Sequence, residues 1–175
     1  KKQMKKIFFT CTALFITLAM QAQTGAIDRL FDKYADREGF TTITISGKLL
    51  GLFAGSEVRS DTENVINRLS SIKILSVDDP ALMSSVNFYK ELGGKSGFAG
   101  YEELMDVKEG QDVTKFLIRQ QGERISELLV ISGGPGDNTL ISIRGDLDLK
   151  SLSELSEGTG IKELKELEKV EGEKP

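Results

Sequence analysis

Histidine and tryptophan are absent from this 175-residue sequence, and its one cysteine, Cys11, sits inside an apolar run near the N-terminus. These absences remove whole classes of chemistry. Ser–His–Asp and Cys–His nucleophiles need an imidazole as base, and zinc sites draw mostly on Cys and His. Beyond that run no cysteine remains to form a disulfide, so stability has to come from packing. No run of Lys or Arg is interleaved with aromatics, which argues against a nucleic-acid partner. Carboxylate chemistry, Ser–Lys pairs, tyrosine and oxygen-bound cations stay open by composition. No cofactor and no metal site are expected.

The first residues differ from all that follow. Lys5 and Lys6 precede an apolar run from Ile7 to Met20, which ends at Gln21-Ala22-Gln23. This is the pattern of a secretory signal peptide over residues 1–22, with Met4 as its start. The run is short for a bilayer span, so no transmembrane segment is expected in the mature chain. The approach to Cys11, Phe8-Phe9-Thr10, lacks the small residues that lipid attachment needs. Removing residues 1–22 leaves nineteen Lys and Arg against twenty-seven Asp and Glu, taking the net charge from −4 to −8. Phosphate backbones repel so acidic a chain. Export to the periplasm or cell envelope is the expected address.

The remainder reads as one α+β domain over residues 23–157, followed by a Glu- and Lys-rich tail over 158–175. Ile161, Leu164 and Leu167 could give that tail two marginal helical turns. Ile27, Leu30, Phe31, Tyr34 and Ala35 recur at helical spacing, with Thr24 as a possible cap and Gly39 placed to end the helix. Phe40 to Ser46 is a β-branched strand, with Phe40, Ile43 and Ile45 expected inward after a one-residue slip. Lys48 to Ala54 is a short apolar helix. Another helix is expected from Ser60 to Ser70, with Val65, Ile66 and Leu69 as its stripe, then a strand carrying Ile72, Ile74 and Val77. Asp79-Pro80 opens a helix running through Leu82, Met83, Val86, Tyr89 and Leu92 to Gly93-Gly94.

From Tyr101 the spacing changes to a meander: Tyr101–Lys108, Val113–Gln120, Ile125–Ser132 and Thr139–Arg144, joined by short turns that imply antiparallel neighbours. Asp148 is placed to cap a last helix carrying Leu149, Leu152 and Leu155. The expected fold is an antiparallel sheet, the C-terminal four-strand meander plus one or two N-terminal strands, with helices on one face. Thr42, Thr44, Lys115, Arg119, Glu127 and Arg144 would then make the other face polar.

Several of these local patterns form a recognisable set: Tyr34 with Gly39-Phe40-Thr41 and Ile45-Ser46; Tyr101-Glu102-Glu103-Leu104-Met105; Ile125-Ser126-Glu127-Leu128; and Ile141-Ser142-Ile143-Arg144-Gly145-Asp146-Leu147-Asp148-Leu149. Together they resemble the exported domain of unknown function 4252 family of Bacteroidetes, over roughly residues 27 to 157. The acidic tail lies outside the resemblance. The resemblance implies an envelope address and a fold, and it carries no catalytic residue.

The loop Gly133-Gly134-Pro135-Gly136-Asp137-Asn138 lacks the Gly-Lys-Ser/Thr ending of a phosphate loop and the tandem spacing of a calcium repeat, so it reads as a hairpin connection. Asp146 and Asp148 frame the start of the last helix, where capping competes with weak calcium binding. Neither Ser46-Gly47-Lys48 nor Ser151-Leu152-Ser153-Glu154 has the order of a Ser–Lys enzyme; Ser151 with Glu154 fits a capping box. A carboxylate-dependent hydrolase would need Glu102, Glu103 and Glu127 to converge, whereas alternation along the strand sends Glu127 toward solvent.

The expected function is therefore non-catalytic: a protein-interaction or accessory module with an envelope protein as partner. The alternative is a carrier or sensor of an apolar small molecule, held by Leu49, Leu50, Leu52 and Phe53 with Met83 and Met105 as adaptable lining.

Overall fold

The computed structural model describes residues 25–54, 65–93, 97–122 and 124–148. The signal-peptide reading, the last helix from Asp148, the Ser151–Glu154 box and the acidic tail concern residues outside these. Among the described residues no helix is long and apolar enough to cross a membrane.

Helix α1 (Ala26–Tyr34) buries Ile27, Leu30, Phe31 and Tyr34, the stripe its spacing predicts. Gly39, at φ +83°, then turns the chain into strand β1 (Phe40–Ser46). A side chain there would be strained, and its Cβ would lie 2.7 Å from Leu82 Cδ1. Ser46 Oγ accepts the Leu49 amide at 3.3 Å and starts helix α2 (Gly47–Ala54), so Ser46-Gly47-Lys48 has a capping role.

Strand β2 (Leu69–Val77) begins at Leu69, the last stripe residue of the helix expected to run to Ser70. The helix expected across Pro80–Leu92 is two single turns, α3 (Pro80–Met83) and α4 (Phe88–Glu91). Their separate caps explain the break. Asp79 accepts from the Ala81 amide, and Asn87, extended at φ −152°, accepts from the Lys90 amide. The meander follows as β3 (Glu102–Glu109), β4 (Asp112–Gln121), β5 (Arg124–Gly133) and β6 (Thr139–Leu147).

The six strands form one antiparallel sheet in the order β1-β2-β6-β5-β4-β3, an α+β arrangement in which β1 and β3 are the edges. Both faces are apolar. One carries Leu75, Val77, Leu117, Leu129, Ile131 and Leu140 under α1, α3 and α4. The other carries Ile72, Phe116, Ile118, Leu128, Val130, Ile141 and Ile143, joined by Val65 and by Leu50 of α2. Phe40 belongs to the first face and Ile45 to the second, so β1 alternates regularly and needs no slip.

The expected polar face is corrected in the same way. Lys115, Arg119, Glu127 and Arg144 do share a face, but it is the one on which α1 packs, and Lys115 and Glu127 are buried on it.

The Gly133–Asn138 loop joins β5 to β6. A Cβ on Gly134 would meet Asp112 Oδ1 at 1.9 Å, and the Gly136 amide donates to that oxygen at 2.9 Å. Asn138 is buried beneath and donates to the Gly134 and Met83 carbonyls at 2.7 and 3.0 Å. The glycines make room for Asp112, which accounts for the loop's composition as a packed hairpin.

Candidate functional site

The register of the meander places Arg119 of β4, Glu127 of β5 and Arg144 of β6 directly opposite one another in one row across three strands. Alternation points all three toward α1, whose Asp28 meets the row from above. Glu127 is 2% exposed, and each of its oxygens has two partners. Oε1 accepts from Ser142 Oγ and from Arg144 Nε at 3.0 Å; Oε2 accepts from Tyr101 Oη at 2.7 Å and pairs with Arg119 Nη1 at 3.6 Å. A buried carboxylate is tolerated when its lone pairs are filled in this way.

Arg144 continues the chain, its Nη2 donating to Asp28 Oδ2 at 3.0 Å, and Lys73 Nζ donates to the other oxygen of Asp28 at 3.1 Å. Burial works against the Arg144 charge, but the bonds to Asp28 and Glu127 outweigh it and hold the guanidinium more firmly protonated than usual. Burial likewise opposes the Asp28 carboxylate, and its bonds to Arg144 and Lys73 overcome that, leaving its pKa below the ordinary value. Burial and the Glu127 carboxylate together push the Tyr101 hydroxyl well above the normal phenol range, so it remains a donor.

A cavity of about 350 Å³ opens beside this network, lined by Asp28, Tyr101, Arg119, Ser126, Glu127 and Arg144. Arg119 stands at its wall with its side chain 41% exposed and its guanidinium 4.3 Å from the centre of the Tyr101 ring. Ser126 fastens the strand behind it by donating to the Arg119 carbonyl at 3.0 Å.

The other singled-out residues lie elsewhere. Glu103 and Asp106 both bind the buried Lys115, at 2.7 and 2.9 Å, Glu102 is exposed, and Glu127 pairs with Arg144 and Arg119, so Glu102, Glu103 and Glu127 do not converge on one point. The expectation that Glu127 points to solvent is overturned, because α1 and Tyr101 cover that face. Asp146 forms a two-pronged pair with Arg124 at 2.7 Å, and Asp148 binds Arg68 at 3.0 Å. Among the described residues no group of three or more His, Cys, Asp or Glu could hold a metal ion.

None of Leu49, Leu50 or Leu52 lines the cavity. Leu50 packs into the sheet, whereas Leu49 is 42% and Leu52 71% exposed; the Phe53 side chain lies outside what the structure describes. Met83 and Met105 pack on opposite faces of the sheet, so they do not share one lining.

Asp28, Tyr101, Lys73 and Ser142 were not singled out from sequence as a polar site. Polar alternation along β6 could mark Ser142 as sharing a face with Arg144, but it names no partner, and no local pattern joins Asp28, Lys73 or Tyr101 to that row.

A family model with the description Domain of unknown function (DUF4252) matches residues 34–155. No curated protein and no solved structure matches the chain.

Proposed function

The chain belongs to the DUF4252 family, described as a domain of unknown function, and we propose that this member is an exported, non-catalytic protein-interaction module of the cell envelope that docks its partner on the β1–α2 rim. The observation carrying this reading is the contrast between the two sheet edges. Strand β3 has Glu102, Glu103, Asp106, Lys108 and Glu109 among its eight residues, whereas β1, Phe-Thr-Thr-Ile-Thr-Ile-Ser, has no charge at all.

Charges on an edge discourage pairing with another chain, and an uncharged β-branched edge invites it. Ile43 on β1 is 43% exposed, and α2, which follows β1 directly, adds Leu49 and Leu52 on one side of its surface. The fitting partner is an extended segment that adds to β1 through its backbone and sets apolar side chains against Ile43 and Leu52. The exposure of Leu52 favours such a surface over an apolar carrier, because small-molecule sites enclose most of their ligand.

A photo-crosslinking side chain at the exposed Thr44, introduced into the full chain in its host, tests this. The expected result is a discrete protein adduct in the envelope fraction, lost with Ile43→Lys and Leu52→Glu and absent when the crosslinker sits at Lys108 on the opposite edge. Failure to form an adduct at Thr44, or identical adducts from both edges, would overturn the proposal.

A further inference from the structure

A second site is built into the other side of the molecule, independent of the rim. The linked groups Lys73, Arg144 and Arg119 carry three positive charges against the two of Asp28 and Glu127, a surplus of one cation in a chain whose net charge is −4. The surplus is localised. Lys73 and Arg144 are committed to carboxylates by hydrogen bonds of 3.0–3.1 Å, whereas the contacts of Arg119 among the described residues are the Tyr101 ring and one 3.6 Å ion pair, too long for a hydrogen bond. Its guanidinium lies over the Tyr101 ring, and its partly exposed side chain lines the cavity.

The geometry points to a small organic monocarboxylate as the ligand of this cavity, bound through the Arg119 fork with its body against Tyr101 and Ile27. Two features select that class. A planar guanidinium with parallel N–H groups matches a carboxylate in two-point contact. The carboxylates of Asp28 and Glu127 line the same cavity, so one negative charge completes the local balance and a dianion would meet repulsion. A cavity of about 350 Å³ falls at the small end of ligand sites.

Titration at neutral pH and constant ionic strength with sodium butyrate, sodium benzoate, inorganic phosphate and uncharged benzamide, followed by nitrogen–proton correlation NMR, tests the assignment. Butyrate or benzoate is expected to give saturable shifts centred on Gly25, Ser126 and the Arg119 side chain, with benzamide silent and phosphate weaker. Arg119→Gln should weaken carboxylate binding about tenfold or more, the scale of a charge-assisted hydrogen bond. Arg119→Lys keeps the charge without the fork, should fall between, and serves if the Gln variant is unstable. No saturable response to either carboxylate, phosphate binding as tightly as they do, or unchanged affinity in the Arg119 variants would overturn it. Because the rim plays no part in this readout, its outcome is separate from that of the crosslinking.

Discussion

The two faces of the sheet come from the same strands by the same alternation, yet they hold the fold in different ways. Leu128 and Glu127 are neighbours in sequence, both almost fully buried, and point to opposite sides; so do Ile143 and Arg144. On the Leu128 side the buried cluster is aliphatic apart from Phe116, with the uncharged Ser132 and Thr139 at its end, and burial is its main source of stability. On the Glu127 side an apolar cluster under α1, α3 and α4 gives way to a chain of charges from Lys73 to Arg119. Aliphatic packing tolerates local repacking, whereas a buried ionic network depends on every member. The difference shows where rigidity resides: the aliphatic face supplies stability, and the charged end fixes α1 and Tyr101 against the strands.

The largest expected effect breaks that comparison at one residue. Glu127→Ala removes the acceptor for Ser142, Arg144 and Tyr101 together and should cost about 3–5 kcal/mol, because cations and donors are left buried without it. Leu128→Ala, one residue on, should cost about 3 kcal/mol through lost transfer energy and a cavity. The variants diverge when partners change too. Glu127→Leu combined with Arg144→Met and Ser142→Ala should recover much of the Glu127→Ala loss. Urea denaturation of the three variants measures this, and a triple variant no more stable than Glu127→Ala would mean the charges stabilise the face in their own right.

Acid should also separate the faces, since the buried cluster on the aliphatic one contains no titratable residue. Asp28 has a folded-state pKa below its ordinary value of 3.8, so its contribution is fully present above that value and is lost as the pH falls through the lower, folded one. Asp106, held down mainly by its bond to Lys115, behaves alike on the same face, at the β3 edge. Stability should therefore hold near neutrality and decline below about pH 4. Asp28→Asn should cost about 1–2 kcal/mol at neutral pH and flatten the acid decline; denaturation curves at both pH values check it. An equally steep decline in the variant would place the acid sensitivity elsewhere.

Much of the sheet was legible because strand alternation is a local signal. The bounds of β1 and the four meander strands emerge to within a few residues, and the positions later found in the charged row share a face as read. What local pattern could not supply was the cover. Arg144 and Asp28 are 116 residues apart, and Tyr101 reaches Glu127 across 26, so nothing near Glu127 announces its burial. The 80–92 segment misled for the opposite reason. Its apolar spacing is continuous through Val86, and only the caps at Asp79 and Asn87 mark two turns. Leu69 satisfies both a helical stripe and the first position of β2, and pairing with β6 decided between them. The cavity left no mark in the sequence, because its lining comes from α1, β4, β5, β6 and Tyr101.

The smallest expected effect concerns the place where the aliphatic face runs out. Ile43 lies opposite Ile74 on β2, which among the described residues is its one strand neighbour, and it is 43% exposed at the edge. A lysine there can keep its methylene stem over Ile74 with its ammonium in water, and surface changes of this sort shift stability by about 0.5 kcal/mol or less. Solution behaviour should respond more. A charge in the middle of the bare edge opposes edge-to-edge pairing, so Ile43→Lys should leave the denaturation midpoint nearly unchanged while reducing concentration-dependent light scattering. A loss greater than about 1 kcal/mol would instead assign Ile43 to the core, beyond the range of a surface substitution. The aliphatic face would then extend to the sheet edge, and the rim would lose its central contact.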